Sequence, residues 1–310
     1  MCLPRAPLES QLVSLVRDCG LETGGARRLV ELLIEFDQMG VHSHGLWQLQ
    51  RYLREFREGQ LNPRAALTRL RETPSSAALC SDGGLGLLVL EQAMEIAISL
   101  ALKTGVALVT TCNHGHLGGL GLAVRQATGR GLVALACGAQ SLDPAWLEPA
   151  LPVEDSARRN PPLAIGLPGQ DADFVLDFGL KSRKPREVWA KFPEVFVWVF
   201  GLAHAVGLMA DLGAHHAPPC PYPGAVERAL LLVFSPELFG SVDRLKKQVG
   251  ELFEQVSRQT PIPGLVATLP GGLEWELSRR LKAGDQVRIH LSTLETLQAL
   301  GVVTSPAADW

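Results

Sequence analysis

Residues 90–138 read LEQAMEIAISLALKTGVALVTTCNHGHLGGLGLAVRQATGRGLVALACG. The apolar spacing predicts a helix over 90–105, and the β-branched run 106–112 predicts a strand. A second helix at 121–131 and a second strand at 132–138 follow. Helix and strand alternating at this pitch predict an α/β layer. Further short apolar strands are expected at 162–169, 172–179 and 228–235, each bounded by turn residues. Both flanks are helical. At 8–36, Leu12, Leu15, Val16 and Cys19, then Leu29, Leu32, Leu33 and Phe36, recur at three- and four-residue spacing. A third helix is expected at 46–58. Residues 241–259 form a long amphipathic segment, and two shorter helical runs close the chain. The proline-rich stretch 217–224 suits a linker or long loop.

Composition narrows the function. The 310 residues carry a net charge of −3, with 46% hydrophobic and 20% charged residues, the balance of a globular protein. No basic field is available for nucleic acid, so none is expected as a partner. The most apolar segment, 195–214, contains His204 and Asp211 and is read as a buried strand or helix, with no membrane partner expected. The first residues carry charges and prolines before any signal-like apolar core. Six scattered cysteines form no CxxC pair, which fits a reducing, cytoplasmic setting.

Two histidine pairs stand out: His42 and His44 in GVHSHGLWQLQRYL (40–53), and His114 and His116 in NHGHLGGLGLAV (113–124). Imidazole gains and loses a proton near neutral pH, as reduction of a carbonyl requires at its oxygen. Ser43 is a candidate N-cap for the helix expected from Leu46. The second pair follows a strand and precedes glycines and a helix, where α/β proteins place ligands; Gly118, Gly119 and Gly121 could bring backbone N–H groups to a phosphate. The run is not a GxGxxG fingerprint, and no acidic residue marks a second strand about 20 residues on. Alternate histidines on an extended strand could ligate a metal, but no carboxylate or cysteine stands nearby at ligand spacing, so no metal is expected. Asp177 ends an apolar strand, where it could orient a histidine, grip a ribose hydroxyl or cap a turn. Asn160 precedes two prolines, a turn signal as well as a possible cofactor contact.

Taken in order, these blocks resemble the malate/L-lactate dehydrogenase family, which also includes sulfolactate, ureidoglycolate and diketogulonate dehydrogenases. The similarity runs through Asp37, Gly40, Ser43–His44–Gly45, Tyr52 and Gly59, then 81–135 with His116–Leu117–Gly118. It continues through RRNPPLAIGLPG, VLDFG and LPGGLEWELSRRLKAGDQV. The resemblance implies an α/β (α+β) fold: a mostly helical domain from both chain ends (1–74 and 241–310) and an α/β cofactor-binding domain (75–240) whose sheet is not a Rossmann sheet. It implies an NAD- or NADP-dependent oxidoreductase, acting as a homodimer on small 2-hydroxy or 2-oxo acids and, in some members, cyclic imines. His44 would be the proton donor, with His116 and Tyr52 beside it; Ser43, His44, Gly118, Asn160 and Asp177 would serve the cofactor. Two departures accompany it. Gln48 stands where family members usually carry an arginine that clamps the substrate carboxylate, and a neutral amide lacks that charge-assisted fork. By helix geometry Gln50 and Arg51 point elsewhere. Residues 180–200 also lack the family's glycine-rich, lysine-bearing loop. A catalytically impaired member kept as a binding or scaffold dimer, or a histidine metalloenzyme, are the alternatives.

Overall fold

The computed structural model describes residues 1–140, 161–179, 190–282 and 285–304. Its centre is a seven-stranded mixed sheet. In chain order the sheet strands are β2 (Thr68–Thr73), β3 (Ser76–Gly84), β4 (Val106–His114), β5 (Val133–Gln140), β6 (Pro162–Leu167), β7 (Phe174–Gly179) and β8 (Glu227–Phe234); two remaining strands, β1 (Cys2–Pro4) and β9 (Gln286–Arg288), pair with each other. The spatial order is β2-β3-β4-β8-β5-β6-β7. Strand β8, formed about ninety residues after β5, lies between β4 and β5 and is antiparallel to both. Among the described strands, only β3 and β4 are parallel neighbours. This mixed α/β sheet is therefore not the doubly wound parallel sheet of a Rossmann domain.

Helices α1 (Arg5–Arg17), α2 (Thr23–Gln38) and α3 (Leu49–Arg57) precede the sheet, followed by α4 (Gly86–Thr104) and α5 (Leu120–Thr128). One face of the sheet packs against α4 and α5, where Ala134, Ala136, Ala164 and Leu231 meet Leu90, Met94, Ala97, Leu120 and Val124. The small strand side chains let the helices approach closely, and alternation sends Cys137, Ala139 and Leu163 to the opposite face. There they meet α6 (Pro193–Asp211). The remaining helices among the described residues are α7 (Val242–Ser257), α8 (Gly272–Lys282) and α9 (Leu291–Ala299).

The chain ends share one core. Strand β1 pairs antiparallel with β9, placing Leu3 opposite Val287, and α1–α3 bury Leu12, Leu33 and Leu49 in the same cluster as Ile289 and Leu297. One expectation changes. Segment 195–214 is a helix, as one of its two readings had it, but it is not buried: Ala203, Val206 and Ala210 dock on the sheet, while Val197 and Trp198 are 62% and 68% exposed. It is long and apolar enough to cross a membrane by length and composition alone, yet its small residues pack it along the sheet. The proline-rich stretch takes the second of its two readings, a long loop, and is anchored, since Gly224 N donates to Gln60 O and Asn113 Nδ2 to Pro218 O.

Candidate active site

Asp37, near the end of α2, is 1% exposed. One carboxylate oxygen accepts the backbone N–H of Leu46 at 2.8 Å, and the other lies 2.7 Å from His42 Nδ1. Burial pushes its carboxyl above the usual range, and these two contacts pull it back down. Gly45 makes the approach possible, because a Cβ there would fall 2.5 Å from the carboxylate. Residues 42–44 and 46–48 are consequently two short 3₁₀ turns, and the regular helix begins only at Leu49. Ser43 is not its N-cap. Ser43 Oγ lies 3.0 Å from His44 Nδ1, and the group that caps the turn at Leu46 is Asp37.

The same turns aim the histidines apart. His42 faces Asp37 and the ring of His290, while His44 faces His116, their rings nearly parallel with centroids 6.2 Å apart. Tyr52, fully buried on α3, places Oη 2.8 Å from His116 Nδ1. Burial pushes the Tyr52 phenol up, so it keeps its proton. His116 is pushed down to about 3, first by burial and then by the charges of Arg51 and His44, so it is neutral at pH 7. A phenol donating to Nδ1 leaves the proton of His116 on Nε2.

His114 does other work. It is completely buried, with Nε2 2.8 Å from Thr111 Oγ1 and Nδ1 3.0 Å from Gly115 O, and burial pushes it down to about 4. Neither histidine pair offers two nitrogens on one face. Among the described residues, no group of three histidine, cysteine or acidic side chains is placed to hold a metal.

The loop after β4 is pinned by two carboxylates. Glu227, at the start of β8, accepts Leu117 N at 3.0 Å and the Gln140 amide at 3.2 Å. Asp177 on β7 accepts Gly121 N at 2.7 Å. Burial pushes Glu227 up to about 7 and Asp177 to about 6, against the pull of those hydrogen bonds. Gly118 turns the loop with φ +70°, a left-handed conformation that favours glycine. The site thus brings together His44, His116, Tyr52, Ser43 and Gln48, with Gly118 and Asp177 along the adjoining loop. Asn160 and residues 180–189 lie outside the described residues. Gln48 donates through Nε2 to Ser43 O at 2.7 Å, so its amide braces the turn.

Two further residues belong here. Arg51, expected to point away, pairs with Glu55 at 2.7 Å yet lies close enough for its charge to act on His116, Tyr52 and Glu227. Glu227 was signalled only by a lone carboxylate opening an apolar strand.

The malate/L-lactate dehydrogenase family pattern matches residues 3–182, more than half the chain. The chain belongs to this family. The family member is 24% identical to the L-sulfolactate dehydrogenase of Methanocaldococcus jannaschii, over 89% of this chain and 90% of that one. It is 26% identical to the ureidoglycolate dehydrogenase (NAD(+)) of Escherichia coli O157:H7, over 93% of each. The malate dehydrogenase structure from Pyrococcus horikoshii OT3 shares its fold with a TM-score of 0.76 at 21% identity, covering 98% of this chain and 97% of that one.

The buried Glu227 gives a pH test. Its folded value, about 7, lies above its ordinary 4.5, so the native state holds a proton that the unfolded state has released. Stability from this group is present below about pH 4.5 and is lost as pH rises towards 7, a total of about 3 kcal/mol at about 1.4 kcal/mol per pH unit. His114 and His116, both pushed down, contribute the opposite slope over pH 4–6.5. That slope is common to wild type and Glu227→Gln and drops out of their difference. Urea unfolding between pH 5 and 7.5 should therefore show Glu227→Gln gaining on wild type as pH rises. Parallel curves would mean that Glu227 does not titrate in this range.

Proposed function

We propose that this protein is an NAD- or NADP-dependent dehydrogenase of the cytoplasm that interconverts a small 2-hydroxy acid and the corresponding 2-oxo acid. The observation that carries the reading is the His44–His116–Tyr52 cluster, set at a turn that Asp37 fixes in place. Bound nicotinamide supplies or accepts the hydride. His44 donates a proton to the substrate oxygen in reduction and takes it back in oxidation; Ser43 at Nδ1 orients its ring. His116, kept neutral by burial and fixed in its tautomer by the Tyr52 phenol at Nδ1, holds the substrate by a hydrogen bond from Nε2 rather than by charge. With Gln48 engaged on Ser43 O, Arg51, whose charge reaches His116, is the candidate among the described residues to meet a substrate carboxylate. A nicotinamide dinucleotide would lie on the side of Gly118 and Gly119, where the loop has no side chains and Gly119 lines a cavity of about 330 Å³.

A silent, binding-only member is the second reading, favoured by the neutral Gln48 amide bonded to the backbone where the resemblance implies a carboxylate clamp. The two differ in one experiment. NADH or NADPH should bind at micromolar concentration with enhanced nicotinamide fluorescence, and a panel of 2-oxo acids should then be reduced. His44→Gln should retain that binding and lose about 100-fold or more in turnover, the usual contribution of a general acid. Binding without turnover in wild type would favour the silent member.

The homodimer belongs to the same proposal. The exposed apolar side of α6, with Val197, Trp198 and Leu202, is the surface that a second copy would cover. Light scattering should give twice the chain mass for wild type and the single mass for Trp198→Glu. A monomeric wild type would refute the pairing.

A further inference from the structure

The C-terminal segment reaches the turn that carries His44. Strand β9 pairs with β1, and just beyond it Ile289 N donates to Met1 O at 2.7 Å. Helix α9 then packs against residues 46–48, and Ile289 and Leu297 share a core cluster with Leu46 and Leu49. Between the strand and the helix stands His290.

His290 makes two kinds of contact. As the N-cap of α9, its Nδ1 accepts Ser292 N at 3.4 Å, and Ser292 Oγ lies 2.8 Å from the same nitrogen. The ring held in this way meets the ring of His42, with centroids 5.3 Å apart and planes tilted by 32°. His42 in turn donates from Nδ1 to Asp37 at 2.7 Å, and Asp37 accepts Leu46 N. The contacts therefore run unbroken from α9 through His290, His42 and Asp37 to the turn. The charges of both imidazoles act on Asp37 and hold its carboxyl down against the effect of burial.

The second contact has a physical purpose. One hydrogen bond leaves an imidazole free to pivot, and 28% of the His42 side chain is open to water that competes for Asp37. A side chain in that position keeps its geometry when packing locks its rotamer. Capping alone does not call for an imidazole, because serine, threonine, aspartate and asparagine are the preferred caps. The ring is the part of His290 that reaches His42. We infer that His290 is a positioning residue for the active-site turn: by packing on His42 it preserves the His42–Asp37 contact, and through Asp37 and Leu46 it sets the direction of His44. Its effect on turnover rests on the dehydrogenase reading, whereas its hold on the turn does not.

Hydrogen–deuterium exchange of the full chain, read by mass spectrometry for wild type, His290→Asn and His290→Phe, separates positioning from capping. Asparagine keeps the cap and removes the ring, and phenylalanine keeps a ring and removes the cap. In His290→Asn, exchange at residues 42–48 should quicken by about threefold to tenfold, the scale of one ring contact, while 291–299 stays protected. In His290→Phe, 291–299 should exchange faster and 42–48 should stay close to wild type. Single-turnover oxidation of NADH by a 2-oxo acid should slow by a similar factor in His290→Asn with NADH affinity unchanged, and His290→Phe should restore it. Exchange at 42–48 that His290→Asn leaves unchanged would overturn the positioning role and leave His290 as a cap. Faster exchange there with an unaltered single-turnover rate would overturn the link to His44. Faster exchange there, in a protein whose wild type neither binds NADH nor turns over, would uphold the hold on the turn and overturn the dehydrogenase reading.

Discussion

The arrangement of the active site depends on one buried carboxylate. Asp37 is removed from water at the end of α2, a position that is costly for a charge unless hydrogen bonds replace the lost solvent. Leu46 N and His42 Nδ1 provide them. The contact holds the chain in two successive 3₁₀ turns instead of allowing α3 to start early, and Gly45 is required because any side chain there would occupy the carboxylate's space. His44 faces His116 because His42 is tied to Asp37. Gln48 then closes the turn from the other side. A longer side chain at 45, or a shorter one at 37, would release all of these together.

The sheet supplies the opposite wall. Strand β8 runs between β4 and β5, and its first residue, Glu227, pairs in register with both His114 and Gln140. A carboxylate at that point can reach Leu117 N, so the late strand fixes the loop that carries His116. Asp177, delivered by β7, fixes the other end of the loop at Gly121. Both carboxylates are held in surroundings that favour their protonated forms. The loop's backbone donors are thus partly occupied by the protein's own acids.

Local patterns were legible and non-local ones were not. Helical periodicity placed α2, α4, α5 and α7 within a few residues: the first three bury a stripe of leucine, valine or alanine, and α7, of which only Val249 is buried, carries the same amphipathic spacing. The histidine pairs and Tyr52 were visible as residue types, and the ordered blocks gave the family. The insertion of β8, the β1–β9 pairing and the β2–β3 hairpin depend on partners far away in the chain or on short, polar strands that carry little hydrophobic signal. Ser43 was misread as a cap because a serine before a helical run is a good local signal, whereas the actual acceptor, Asp37, lies nine residues from Leu46. Segment 195–214 was misread as buried because composition reports how apolar a helix is, not what covers it. Arg51 follows the same rule: its backbone direction on the helix was predictable, but the reach of its long side chain towards His116 was not.

The central claim is that Asp37 sets the geometry in which His44 exchanges a proton with a substrate. Single-turnover decay of NADH absorbance, measured with saturating 2-oxo acid for wild type and Asp37→Asn, tests it most directly. Asparagine retains one acceptor for Leu46 N but cannot be the anionic partner of His42. The account predicts a folded variant, by circular dichroism, whose single-turnover rate is about 10–100-fold lower with NADH affinity unchanged. Equal rates in the two proteins would contradict the claim.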